Sequence, residues 1–130
     1  LIAPFKNSSW FSFPHGSVTI KDERKLIPFK ITNLKDGINI GAYGIREPQK
    51  DPSNELNVEA IDILIVPAVA YDKDCYRLGY GGGFIEHLRD DAITIGIAFD
   101  LQVFDSIPKE NHDAQLNYVI TENNMYIGKI

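Results

Sequence analysis

An internal disulfide is excluded in a chain whose 130 residues include a single cysteine, Cys75. No histidine stands beside Cys75 in the sequence to draw off its proton, so it is given no catalytic role. No apolar stretch approaches the ~20 residues that cross a bilayer, and no succession of basic, apolar and small residues marks a secretory leader. With disulfides, spanning segment and leader all missing, a cytoplasmic protein without a membrane partner is expected. Repeats, low-complexity tracts and long linkers are also lacking, which excludes solenoids and tethered modules. Basic residues are in deficit, since 13 Lys and Arg face 18 Asp and Glu for a net charge of −5. A surface of that sign repels a phosphate backbone, so nucleic acid is not an expected partner. Nucleotides stay open as ligands, because backbone N–H groups bind phosphate without adding formal charge.

What is present suits one compact domain. A hydrophobic share of 44% against a charged share of 24% supplies enough apolar surface for burial to drive folding, and a chain of this length holds one core. A single α/β domain over residues 1–130 is therefore expected. Leu1-Ile2-Ala3-Pro4 reads as the end of a buried strand, which implies further chain ahead of it. Residues 10–31 are aromatic and β-branched, with breaks at Pro14, Gly16 and Pro28, as in short strands and extended turns. Residues 49–56 form a polar stretch around Pro52 that suits a surface loop. The nearly continuous apolar run Ile61-Asp62-Ile63-Leu64-Ile65-Val66 predicts a strand buried on both faces of a parallel sheet, and residues 93–99 and 118–121 repeat that character. Between the first two runs, Phe84, Ile85 and Leu88 fall at helical spacing within 83–89. The order strand, glycine-rich loop, helix, strand needs a right-handed crossover. It puts the loop at 67–83 on the carboxyl side of the sheet, where open α/β sheets bind ligands.

That loop contains Arg77-Leu78-Gly79-Tyr80-Gly81-Gly82-Gly83-Phe84, with four glycines in five positions leading into the predicted helix. A backbone so freed can turn successive N–H groups inward as an anion nest, and Arg77 can add a bidentate contact to phosphate. A glycine-rich turn beside an incidental arginine is the other reading. The spacing matches neither the Walker pattern nor G-x-G-x-x-G, so the loop alone does not decide between them.

Wider context carries a resemblance. The run DILIVPAVAYD ending at Asp72, followed by RLGYGGGF, is similar to the 5-formyltetrahydrofolate cyclo-ligase family's strand, valine-proline, aromatic-aspartate, arginine-leucine-glycine and GYGGGYYD loop. Gly44-Ile45-Arg46-Glu47-Pro48 resembles its G-I-x-E-P element. Ile107-Pro108 through His112-Asp113 resembles I-P-x-E-x-H-D, and Ile120-Thr121-Glu122 its closing I-T-E. The likeness is specific over residues 44–122 and general before them. It implies a three-layer α/β/α fold with a mostly parallel sheet, and the family's first helix and strand have no counterpart here. The family's nucleotide-contacting lysine belongs to that region, and no residue of this chain takes its role.

By the same resemblance, ATP and 5-formyltetrahydrofolate are the implied ligands and Mg²⁺ the implied metal. Arg77, Leu78, Gly79, Tyr80, Gly81, Gly82, Gly83 and Phe84 would bind ATP, with Arg77 also serving catalysis. Asp113 and Glu86 would hold Mg²⁺. Glu47, Asp72 and Tyr80 are candidates for the substrate side, while Asp72 reads equally as a turn cap. Trp10, Phe11 and Tyr43 read as core aromatics or as a pterin platform, and His15, His87 and His112 stay outside the mechanism. Glu86 stands where the family has aspartate, Phe84 and Ile85 replace a tyrosine pair, Ala68 replaces a glycine, and Cys75 occupies a common turn-glycine position. A Cβ there costs about 1 kcal/mol if φ is positive. The implied reaction is the ATP- and Mg²⁺-dependent conversion of 5-formyltetrahydrofolate to 5,10-methenyltetrahydrofolate. Two alternatives stand beside it: a member that binds nucleotide or folate without turnover, and an unrelated α/β enzyme of sugar-phosphate isomerase or acyl-transferase type.

Overall fold

A computed structural model of the chain describes residues 2–3, 17–20, 25–30, 38–40, 46–79 and 91–130. These fall into two compact units, one of described residues up to Ile63 with Asp91 and Ala92, the other of residues 64–79 and 93–130.

The first unit holds β1 (Ile2–Ala3), β2 (Ser17–Ile20), β3 (Lys25–Pro28), β4 (Ile38–Ile40) and β5 (Arg46–Pro48). β2 and β3 pair antiparallel with Val18 opposite Ile27, the short β-branched strands expected from that stretch. β4 and β5 also pair antiparallel, with Asn39 opposite Glu47. Pro28 ends β3, where its missing N–H takes no donor from the ladder, and its carbonyl accepts the Leu56 N–H at 2.8 Å. Phe29 bridges to Glu55, and the Lys30 N–H reaches the Asn54 carbonyl. The polar stretch at 49–56 is thus an exposed loop whose far end is stitched to β3. Pro52 opens its 3-10 turn, Pro52–Asn54, and the Asp51 carboxylate accepts the Ser53 hydroxyl at 2.7 Å and the Ser53 N–H at 2.9 Å. Those bonds hold the Asp51 carboxyl below its ordinary pKa.

The second unit is built on the three apolar runs, the first of them from Leu64 onward. They form β6 (Ile63–Ile65), β9 (Ile93–Ile97) and β11 (Tyr118–Ile120), hydrogen-bonded in the order β6, β9, β11 and then β12 (Met125–Ile127). β9 and β11 run parallel with Gly96 opposite Val119, and β12 returns antiparallel. A second sheet has the order β10 (Val103–Phe104), β7 (Ala70–Asp72), β8 (Arg77–Leu78), with β10 parallel and β8 antiparallel to β7. Parallel pairing between strands distant in sequence is the mark of an α/β fold. Among the described residues helical backbone is limited to 3-10 turns. The helix expected at 83–89 lies outside them.

One element differs from the sequence reading. Residues 67–79, expected as a loop, contain the β7–β8 hairpin. Strands of two and three residues are too short to show period-2 alternation, so the segment carried no strand signal.

Tyr71 and Val119 are fully buried in this unit's core, with Leu116 and Val66 beside them in depth. The Tyr71 ring packs against β9 at Gly96, where an added Cβ would come within 2.4 Å of the ring's Cε1. Its hydroxyl donates to the Val66 carbonyl at the end of β6. Burial pushes the Tyr71 phenol up to about 12 against the opposing pull of Arg77. The Lys109 ammonium is likewise raised, first by its contact with Asp72. Both folded pKa values exceed their unfolded values, so their stabilising contribution is complete below pH ~10 and is lost as pH rises through the folded values. One of the six tyrosines should therefore titrate late in phenolate absorbance, with stability falling above pH ~10. A Tyr71→Phe variant that keeps the late step would assign it elsewhere.

Candidate functional site

Chemistry-bearing side chains of the second unit gather around the turn between β7 and β8. The Asp72 N–H donates to the Tyr76 carbonyl at 3.0 Å, and the Cys75 N–H donates to the Asp72 carbonyl at 2.9 Å. The loop is therefore a tight turn followed by a residue that must adopt left-handed backbone, usually glycine. Here that residue is Cys75, at φ 65°. The condition attached to its Cβ is met, and the turn carries about 1 kcal/mol of strain. Cys75 is fully buried, and burial pushes its thiol pKa up, the reverse of what a nucleophile needs.

Asp72 holds this turn from inside. Its Oδ1 accepts the Tyr76 N–H at 2.9 Å and the Asp74 N–H at 3.1 Å, and the residue has no exposed surface. Of the two roles the sequence leaves open for Asp72, these contacts are those of the turn cap. Oδ2 is buried without a well-aligned hydrogen bond, yet the Lys109 ammonium lies 3.0 Å away. The contact is thus ionic rather than directed, and the charge is compensated even though the lone pairs are not matched. Lys109 also lies 3.5 Å from Asp74 Oδ2 and 4.2 Å above the Tyr76 ring.

Arg77 and Leu78 follow in β8. Leu78 is exposed and its carbonyl accepts the Val69 N–H at 2.9 Å. Arg77 is half-buried, and its guanidinium folds over Gly79, where an added Cβ would sit 2.4 Å from Nη1. A glycine at 79 thus leaves room for the arginine head at the entrance to the glycine-rich segment. Tyr80, Gly81, Gly82, Gly83, Phe84 and Glu86 lie outside the described residues.

Asp113 lies in the loop before β11. Its N–H donates to the Glu110 carbonyl at 3.0 Å, and its Oδ2 accepts the Glu110 N–H at 2.7 Å, which closes the turn 110–113. An ionised carboxylate has about four acceptor sites. One N–H therefore leaves Asp113 able to serve as a metal ligand, and its half-buried position keeps it reachable. His112 pairs with Glu110 at 3.4 Å and takes no part in that turn's closure. Among the described residues no group of three or more His, Cys, Asp or Glu side chains converges for a metal. Asp113 fits the implied Mg²⁺ as one oxygen ligand. The Ile120-Thr121-Glu122 element serves the architecture. Glu122 accepts the Asp100 N–H at 2.9 Å, while the Asp100 carboxylate accepts from the Thr121 hydroxyl and the side-chain amides of Asn123 and Asn124. Those donors lower the Asp100 pKa and tie the β11–β12 turn to the chain after β9.

The structure thus brings the loop of Asp113 against the turn of Asp72 through Lys109, a residue that nothing in the sequence singles out beyond its place between the proline and glutamate of the I-P-x-E-x-H-D element. Glu47 is in β5 of the first unit. No helix among the described residues is long and apolar enough to cross a membrane.

Comparison with known proteins extends the site to its family. Residues 17–122 match the 5-formyltetrahydrofolate cyclo-ligase family. The 5-formyltetrahydrofolate cyclo-ligase of Mycolicibacterium smegmatis is 34% identical over 103 residues, covering 73% of this chain and 52% of its own length. That of Haemophilus influenzae is 37% identical over 79 residues, 57% of this chain and 42% of its own. The solved 5,10-methenyltetrahydrofolate synthetase of Aquifex aeolicus superposes with a TM-score of 0.69 at 29% identity, over 82% of this chain and 55% of that one. The Mycoplasma pneumoniae synthetase gives 0.56 at 25% identity, over 80% and 52%. The chain spans about half the length of these relatives. Since the match runs from β2 to Glu122 and so includes both the hairpin of Arg77 and the loop of Asp113, the chain belongs to the 5-formyltetrahydrofolate cyclo-ligase family and has its α/β fold.

Proposed function

We propose that this chain carries the phosphate- and metal-binding half of an enzyme that converts 5-formyltetrahydrofolate to 5,10-methenyltetrahydrofolate with ATP and Mg²⁺. The observation that carries the reading, given the family, is the Arg77 guanidinium held over Gly79 where the glycine-rich segment begins. ATP would supply the phosphoryl group that turns the formyl oxygen into a leaving group, so that N10 of the folate can close the ring as phosphate departs. The protein's share of such chemistry is positioning and charge stabilisation. Arg77 would pair with phosphate oxygens, and the N–H groups from Gly79 to Phe84 would complete the cradle. Asp113 and Glu86 would hold Mg²⁺ as oxygen ligands. Glu47 and Tyr80 are assigned to the folate side. Cytoplasmic residence belongs to the same proposal, on the ground of a lone buried thiol.

The test is to incubate the longest form of the protein carrying this chain with 5-formyltetrahydrofolate, ATP and Mg²⁺, and to follow formation of the methenyl product by its absorbance. Turnover that requires all three supports the proposal, and none in a form that binds neither ligand overturns it. A binder without turnover is the second reading, motivated by Glu86, Phe84 and Ile85 standing where the family has aspartate and two tyrosines. ATP binding with no product would select it. The isomerase or acyl-transferase reading draws no support from the family match. Arg77→Ala should weaken ATP binding by about 1.5–3 kcal/mol, the scale of a charged hydrogen bond, or roughly 10- to 150-fold in Kd. Unchanged affinity by calorimetry would make Arg77 a packing residue.

A further inference from the structure

We propose that Lys109 is a positioning residue, a latch that seats the loop carrying Asp113 on the turn leading into Arg77 and so sets the metal-facing carboxylate in register with the phosphate-facing guanidinium. The inference rests on the ATP-dependent reading above and names a residue that reading does not use.

The turn 72–76 is closed by its own backbone and by Asp72 Oδ1, so its folding needs nothing from Lys109. What the turn leaves uncompensated is Asp72 Oδ2, wholly buried and without a well-aligned donor. Lys109 answers that charge from another loop, at 3.0 Å, and its ammonium lies over Tyr76, the residue immediately before Arg77. On the far side of Asp113 the same loop is stitched to the same turn. The Gln115 side-chain amide donates to the Asp74 carbonyl at 2.8 Å, and the Leu116 N–H donates to the Cys75 carbonyl at 2.9 Å. Asp113 is thus suspended between two anchorages on one hairpin, while its own contacts only close the small turn 110–113. Gln115 and Leu116 reach backbone carbonyls and are replaceable in kind. Lys109 alone of the three brings a charge to a buried charge, so lifting it away strands the Asp72 carboxylate in the interior. That asymmetry keeps the Lys109 side of the loop seated.

The experiment compares wild type, Lys109→Arg, Lys109→Met and the double variant Asp72→Asn/Lys109→Met. The double variant keeps an acceptor for the Asp74 and Tyr76 N–H groups and leaves no stranded charge, so it stays folded even if the stranded Asp72 carboxylate unfolds Lys109→Met. The first readout is amide hydrogen exchange. Opening of the latch should speed exchange in residues 109–114 of the double variant by about tenfold or more while β9 and β11 keep wild-type protection. The second is the gain in ATP affinity that Mg²⁺ brings, measured by calorimetry with and without the metal. It should shrink about fivefold or more in the double variant, with affinity for metal-free ATP little changed, and Lys109→Arg should retain most of it. Wild-type exchange in the double variant overturns the latch. Faster exchange with an undiminished Mg²⁺ effect overturns the register it is proposed to set. A wild-type protein that binds no ATP under either condition overturns the functional reading and with it that register, while the exchange data still decide the latch.

Discussion

Asp72→Ala should lower the stability of the fold by about 2–4 kcal/mol, the scale of backbone donors left without an acceptor beside a void in the interior. Against the 5–15 kcal/mol typical of a whole domain, that is a large share. Three losses coincide at this carboxylate. The Tyr76 and Asp74 N–H groups lose their acceptor, the Lys109 ammonium loses its counter-charge, and a wholly buried side chain leaves a void. Asp72→Asn should cost distinctly less, because an amide oxygen still accepts both N–H groups and the partly exposed Lys109 can turn to water. Urea unfolding of the two variants separates these contributions. An alanine variant within about 1 kcal/mol of wild type would mean that the turn holds itself and that the buried charge contributes nothing.

Gly96→Ala should cost about 1–3 kcal/mol, although alanine is ordinarily well tolerated and no positive φ is involved. The reason is contact alone: the new methyl would lie 2.4 Å from Cε1 and 2.9 Å from Cζ of Tyr71. That ring cannot step aside, since it is fully buried and its hydroxyl is bonded to the Val66 carbonyl. Tyr71→Leu in the same chain should relieve part of the penalty, so the double variant is more stable than the sum of the singles implies, whereas Tyr71→Phe keeps the ring and should relieve little. Additivity in thermal melts of the Leu pair would show that Gly96 resists substitution for some other reason.

What could be read in advance follows the strength of the local signal. The runs at 61–66, 93–99 and 118–121 are apolar enough to mark strands, and each forms one, but Ile93, Ile97 and Ile120 are exposed, so the expected burial on both faces is not met among the described residues. The family's α/β fold was legible in motif order, because Arg77, Asp113 and Glu122 fall in elements that recur together. The β7–β8 hairpin was not. Its strands are too short for alternation, and its turn places cysteine where the usual mark is glycine, so the strongest hairpin cue was absent. Lys109 was illegible for another reason. A lysine in a polar loop has no periodicity, and its meaning comes entirely from a carboxylate 37 positions earlier that only folding brings near. The segment from Tyr80 to Glu86, on which the phosphate and metal assignments lean, lies outside the described residues, and its reading rests on the family and on Arg77 beside it.

The strained cysteine also makes the hairpin turn its own clock. Cys75 is the chain's one thiol and is sealed between Gly128 and the backbone of β11, so a thiol-specific reagent meets it only when the turn comes apart. Under conditions where reclosing outruns labelling, the observed rate divided by that of the unfolded chain is the fraction of time the turn stands open. Ligand that grips Arg77, one residue past the turn, should then slow the labelling in proportion to its own occupancy. The chain carries an intrinsic reporter of ligand engagement, read at a single native atom without any substitution in the sequence.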